Sequence, residues 1–170
     1  MVHRVTSPTL YTTIPSPIGE LLLVGDGRRL RGLYMREGRK PVAVRAGWVE
    51  AAEAFDQVRV QLDEYFAGRR TSFDVPLAME GGPFQRLVWD ALREIPYGET
   101  TSYGELAQRI GQPGAARAVG LANGSNPISV IVPCHRVIGA NGKLVGYGGG
   151  MERKRILLDL ESGVETLAAI

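Results

Sequence analysis

The chain has one cysteine, Cys134, and a histidine and an arginine follow it directly in the run Pro133-Cys134-His135-Arg136. A thiol attacks as its thiolate, and with an ordinary pKa of about 8.5 little thiolate exists at neutral pH. An adjacent base or positive charge raises that fraction, and His135 is the nearest candidate base. The flanking residues Ile128, Val130, Ile131, Val132, Val137 and Ile138 are apolar. Their continuity predicts a buried or half-buried extended segment, from which Pro133 bars helix. In extended chain, Cys134 and His135 point to opposite faces, so a water bridge suits the pair better than a direct hydrogen bond. The imidazole also needs a partner to hold its tautomer. Glu152, Asp159 and Glu161 are all candidates, and the residues alone do not choose among them. The competing reading is a small core cysteine, but a histidine and an arginine are unusual guests in an apolar core.

The composition excludes other chemistries. A single cysteine excludes an internal disulfide, and one cysteine with two histidines excludes an ordinary structural zinc site. No metal and no cofactor is expected. Residues 139–150 hold six glycines with Lys143, Leu144 and Tyr147 among them, too irregular for a dinucleotide or phosphate-loop fingerprint. That stretch reads as a loop lining a pocket, with Tyr147 as its lid, or else as a plain surface turn.

Charge is nearly balanced. The net charge is +2, with eleven basic against ten acidic residues in 1–81 and nine against eight in 82–170. Neither half is a basic arm, so any nucleic-acid binding neutralises few phosphates. Arg28, Arg29, Arg31, Arg36, Arg39, Lys40 and Arg45 make one locally basic stretch, a solvated loop face or a phosphate-facing rim. No apolar run approaches the roughly 20 residues of a membrane span, and residues 1–10 lack a signal-peptide layout. A cytoplasmic protein without membrane contact is expected. With 44% hydrophobic and 22% charged residues, the chain can bury a core.

The elements that must position these groups divide the chain at Gly81–Gly82, giving an α/β half over 1–80 and a helical half over 81–170. Strands are expected at Leu10–Ile14, Glu20–Val24 and Leu30–Met35, joined by turns at Pro15–Gly19 and Gly25–Gly27 into an antiparallel sheet. Helical spacing of Phe55, Val58, Leu62, Tyr65 and Phe66 predicts a helix from Glu50 to Ala67 that Gly68 ends. Phe73–Leu77 reads as extended. Pro83 opens a second helix with the stripe Phe84, Leu87, Val88, Ala91, Leu92 and Ile95, stopped at Pro96. Ser102-x-x-Glu105 is a capping box for a helix through Ile110. A turn at Gly111–Gly114 leads to a short helix over 115–123. The pair suggests a helix-turn-helix, although many helical hairpins bind nothing. Its second helix is built of small residues, Ala115, Ala116, Ala118, Gly120 and Ala122, with one long side chain, Arg117. That composition suits close approach to a groove with a single probe reaching in; a surface salt bridge is the alternative. The fold class is therefore α+β.

Taken in order, PFQRLVWDALREIPYGETTSYGELA, AARAVGLANGSNP and IVPCHRVIGANGKLVGYGGG, followed by the helix carrying Glu161, resemble the O6-alkylguanine-DNA alkyltransferases, the methylated-DNA–protein-cysteine methyltransferases. SPIGELLLVGDG resembles that family's N-terminal half, which implies a ribonuclease-H-like topology there. The resemblance implies stoichiometric transfer of an alkyl group from O6-alkylguanine, and O4-alkylthymine, in double-stranded DNA to Cys134. It implies that His135 is the base acting through water, that Glu161 is its partner, and that Asn126 completes the hydrogen-bond network. It casts Tyr103 as the residue that rotates the nucleotide and donates a proton to the leaving guanine. Arg117 becomes the finger filling the vacated stack, and Ala115, Ala116, Ala118 and Gly120 the face entering the minor groove. Tyr147, Gly148 and Pro133 border the substrate pocket. The acting species is a monomer, with cooperativity on DNA left open. Some family members carry serine where Gly148 stands, and some bind zinc in an N-terminal half for which this chain has no ligand set. Two other readings remain: a non-catalytic sensor of alkylated DNA, which retention of Cys134 argues against, and a cysteine hydrolase or redox thiol, which leaves Arg117 without a role.

Overall fold

The structure is a computed structural model describing residues 7–38, 42–142, 144, 147 and 149–163. Arg39 and Lys40 of the basic stretch, Lys143 and Gly148 lie outside the described residues.

Three strands form where apolar runs and turn residues alternate: β1 (Leu10–Ile14), β2 (Leu21–Gly25) and β3 (Leu30–Met35), paired antiparallel. β2 is buried at every position, as a strand covered on both faces must be, and its sequence LLLVG is accordingly continuous rather than alternating. A short strand, β4 (Val49–Glu50), pairs parallel to β1, giving the order β3-β2-β1-β4. The sheet is thus mixed, not purely antiparallel as expected; two residues are too few to carry a periodic signal. The predicted helix over 50–67 begins as a 3₁₀ turn (Ala52–Phe55) and continues as α1 (Asp56–Phe66). Phe55, Val58, Leu62 and Tyr65 face the core. Gly68, at φ +74°, takes the left-handed conformation that ends it.

In the second half, α2 (Pro83–Leu92) buries Val88, Trp89 and Leu92, with Ile95 just beyond its end. Its buried face is rotated from the expected stripe: Leu87 is 42% exposed and Trp89 points in, where its indole N–H donates to Ala122 O at 2.8 Å. After β5 (Thr101–Ser102) comes α3 (Tyr103–Arg109), whose N-cap Ser102 Oγ accepts from Glu105 N at 3.1 Å. Only this half of the expected capping box is used, because the Glu105 carboxylate takes Thr101 Oγ1 at 3.0 Å. α4 (Ala116–Gly124) packs on both α2 and α3. A two-residue strand, β6 (Val137–Ile138), pairs with β5, and α5 (Met151–Ser162) follows.

Strand β3 joins the halves. Leu33 N donates to Pro127 O at 2.9 Å and Ser129 N to Leu33 O at 3.1 Å. The segment entering the cysteine turn is therefore pinned to the N-terminal sheet. Side chains from both halves share one hydrophobic core. Among the described residues no helix is long and apolar enough to cross a membrane.

Candidate active site

Residues 128–138 are largely buried as expected, but only Val137–Ile138 (β6) is an extended strand; 128–136 turns instead. The chain coils through Val132 N→Ile128 O at 3.0 Å and Cys134 N→Val132 O at 2.8 Å into a 3₁₀ turn, Cys134–Arg136. A continuous apolar run cannot distinguish buried strand from buried turns, which is why the expectation failed. Val130 sits at φ +71°, a strained value for a β-branched residue. Asn126 holds these turns: its Nδ2 donates to Val132 O at 2.8 Å and its Oδ1 accepts from Ile128 N at 3.0 Å. It shares no hydrogen bond with Glu161, so within the described residues it clamps the cysteine turn and stops short of the histidine pair.

Of the three carboxylates weighed, Glu161 meets His135: Nε2 lies 2.7 Å from its Oε2, with both side chains almost fully buried. Arg136 adds a bidentate contact, Nε to Oε1 at 2.7 Å and Nη2 to Oε2 at 3.0 Å, and its Nη1 donates to Ile95 O at 2.6 Å. Tyr65 Oη donates to Oε2 at 2.5 Å. Burial alone would raise the Glu161 pKa, but hydrogen bonds from His135, Arg136 and Tyr65 hold it down at about 2. An ionised carboxylate only accepts, so Nε2 carries the hydrogen. Burial, opposed by Glu161, lowers the His135 pKa. A neutral imidazole then has an unprotonated Nδ1, and that atom is buried with no partner among the described residues. The turn thus presents a bare basic nitrogen.

Burial likewise raises the Cys134 thiol, while Asn126, Lys154, its own backbone N–H and Ser129 favour the thiolate. Lys154 is buried on α5, donates from Nζ to Val137 O at 2.6 Å, and burial brings its pKa down to about 8. Cys134 opens onto a cavity of about 180 Å³ lined also by Tyr147, Asn126, Asn123, Tyr34 and Met35. Tyr147 is a buried wall of this cavity, and its hydroxyl has no partner among the described residues. Pro133 is not part of this wall. It caps the 3₁₀ turn and lines a separate cavity with Tyr97 and Arg136, because the turn directs it away from the thiol.

Tyr103 is half-buried at the start of α3, its phenol raised by burial and then by Cys134. Gly120 faces it: a Cβ there would lie 3.7 Å from the Tyr103 ring. Gly120 therefore supports Tyr103 rather than standing on the open face. Ala115 is the N-cap of α4, and Ala115 and Ala116 are half-buried. The outward face is Arg117, Ala118 and, one turn on, Leu121, which is 74% exposed. Arg117 has no ion pair among the described residues, so the salt-bridge alternative has no support.

Sequence reasoning does not single out Lys154 or Leu121, takes Tyr65 only as a core position, and marks Arg136 only as an unusual guest in an apolar segment. Lys154 had a signal: it stands seven residues before Glu161 and three before Leu157 on one helix face. Among the described residues no cluster of three or more metal-ligating side chains forms.

Residues 83–163 match the family described as 6-O-methylguanine DNA methyltransferase, DNA binding domain, and residues 9–79 match its ribonuclease-like domain. The methylated-DNA–protein-cysteine methyltransferase of Methanosarcina acetivorans is 56% identical over 151 residues, covering 89% of this chain and 97% of that one. The Mycobacterium bovis protein of the same name is 60% identical over 151 residues, 89% and 91% of the two chains. The crystal structure of Mycobacterium tuberculosis OGT in complex with DNA superposes with a TM-score of 0.86 at 58% identity, over 91% of this chain and 93% of that chain.

Proposed function

The chain belongs to the 6-O-methylguanine DNA methyltransferase family, and from that premise we propose that it transfers the alkyl group of O6-alkylguanine in double-stranded DNA to Cys134, once per molecule. The observation that carries the reading is the cavity with Cys134 in its wall, next in sequence to a neutral, carboxylate-held His135. The target carbon lies on a stacked base, so the nucleotide is extruded into that cavity. α4 enters the minor groove, where little base code is read and small residues permit close approach. Arg117 fills the vacated stack, with Ala118 and Leu121 against the groove walls.

The thiol proton passes through a water molecule to His135 Nδ1, and Glu161 stabilises the imidazolium formed. Cys134 Sγ attacks the O6-bound alkyl carbon; an S–C bond forms as the C–O bond breaks. The guanine anion takes a proton from the Tyr103 hydroxyl, and the phenolate left behind is reprotonated through water by the His135 imidazolium, so that no net charge remains in the site. O4-alkylthymine presents the same exocyclic O-alkyl group and is the second substrate. The product is a thioether, and the chain has no second thiol to resolve it, so the reaction ends after one transfer.

The test is intact mass after mixing with a duplex bearing one O6-methylguanine. One methyl gained, saturating at one per chain and absent from Cys134→Ser while that variant still binds DNA, supports the reading. Lesion-selective binding without mass gain makes the protein a sensor instead.

A further inference from the structure

We infer that Tyr65, on helix α1 of the N-terminal half, is a positioning residue for the buried His135–Glu161 pair, its hydroxyl fixing how strongly Glu161 Oε2 draws on His135. This deepens the proposed function, because it takes His135 as the base. Tyr65 is fully buried and its ring is fixed from three sides: Phe66 at 5.2 Å, Phe73 at 5.3 Å and Tyr97 at 6.2 Å between centroids. Its hydroxyl has one acceptor, Glu161 Oε2. The phenol is held well above its ordinary range by burial and by the Glu161 charge, so it remains a donor.

Oε2 is shared. It accepts from Tyr65 at 2.5 Å, His135 at 2.7 Å and Arg136 Nη2 at 3.0 Å. Oε1 accepts from Arg136 Nε at 2.7 Å and Gly98 N at 3.5 Å. Each donor on Oε2 withdraws charge that would otherwise stabilise a proton on His135. Other groups act on the pair from the elements packed against it: Arg136 in the 3₁₀ turn, Lys154 on α5, Tyr97 in the turn after α2, and Tyr147 on the cavity wall. Of these, Arg136 and Lys154 oppose a charge on His135, and only Arg136 also bonds Glu161. Besides the neutral His135 itself, Tyr65 is the one uncharged donor on Oε2 among the described residues, and it comes from the N-terminal half. The identity of residue 65 therefore adjusts His135 without changing the net charge of the site.

The experiment is the pH dependence of single-turnover methyl transfer, read by intact mass, on the full chain. The acid limb reports protonation of His135. Tyr65→Phe leaves Oε2 with more charge, so the limb rises by about one pH unit. Replacing Tyr65 by 3-fluorotyrosine keeps the ring and strengthens the donor, so the limb falls. Phe73→Leu loosens the ring but keeps the hydroxyl; it lowers Tm and leaves the limb in place. A limb that stays put in both Tyr65 variants overturns the inference, and should Tyr65→Phe not fold, the fluorinated protein decides alone. Imidazole NMR titration of His135 reads the same opposite shifts without any transfer. Shifts of this kind with no methyl gained would sink the proposed function and leave the positioning role standing.

Discussion

Glu161→Gln tests the energetics of the buried pair most directly. The wild-type carboxyl has its pKa lowered from 4.5 to about 2, and its side chain is 1% exposed, so solvent screening removes little. A folded-state pKa below the unfolded one means that the carboxylate stabilises the fold above pH 4.5. That contribution is lost as pH falls through the folded value. The shift corresponds to about 3 kcal/mol. Glutamine keeps the shape but loses the charge, leaving Arg136 buried without a counter-ion, a loss of about 3–5 kcal/mol at pH 7. Below pH 4.5 the wild type surrenders its advantage by about 1.4 kcal/mol per pH unit while the variant has no carboxylate to protonate. His135, kept neutral by burial, costs both proteins stability as pH falls below its ordinary value of 6.5. Urea unfolding of both proteins at pH 7, 4.5, 4.0 and 3.5 gives the gap. It should be wide at pH 7 and narrow steadily below 4.5. A gap that is constant from pH 7 to 3.5, or smaller than about 1 kcal/mol at pH 7, would show that the buried pair is not held as an ionised Glu161.

Two further outcomes follow from the same geometry. Lys154, with its pKa lowered to about 8 from 10.5, gives the wild type a stability that rises between those pH values, because the unfolded chain there binds more protons. Lys154→Met should lack that rise in Tm between pH 8 and 10, and its Cys134 should react more slowly with a neutral alkylating reagent at pH 7; equal rates would remove Lys154 from the thiolate's surroundings. Arg117→Ala should weaken binding to lesion duplex and slow its repair, with reaction of the free O6-alkylguanine base nearly unchanged and Tm unaltered, since Arg117 is exposed. Equal losses on both substrates would place Arg117 in the support of the pocket.

The parts of the molecule with a regular period were legible in the residues. β1, β2, β3, α1, α3 and α4 lie within a residue or so of where apolar spacing and turn residues put them, apart from the 3₁₀ start of α1. β4 and the 128–136 turns were not, the first for lack of length and the second because an unbroken apolar run carries no period. Trp89 lies off the stripe Phe84, Leu87, Val88, Ala91, Leu92 and Ile95, yet its indole is buried and finds Ala122 O. At the site, the type and order Cys134-His135 pointed to an activated thiol, but no residue count selected Glu161 over Glu152 and Asp159. Helical spacing marks Tyr65 only as a core-facing position. What distinguishes it from its neighbours is a hydroxyl reaching a carboxylate 96 residues away, and long-range contacts of that kind leave no local pattern.

The site holds two demands in opposition. Burial excludes water from the reacting atoms but pushes Cys134 up and His135 down, so both stay neutral in the free protein. Proton transfer from one to the other creates two charges where the fold tolerates few. In the proposed reaction the charges that offset that step are local, the Lys154 ammonium for the thiolate and Glu161 for the imidazolium. A thiol used once gains from this balance. Under the proposed transfer, a thiol kept protonated would resist stray alkylating agents and would ionise once a bound substrate excluded water and strengthened both pairings. The N-terminal half is then more than a scaffold: through β3 it pins the cysteine turn, through Met35 and Tyr34 it walls the cavity, and through Tyr65 it reaches the carboxylate on which the base depends.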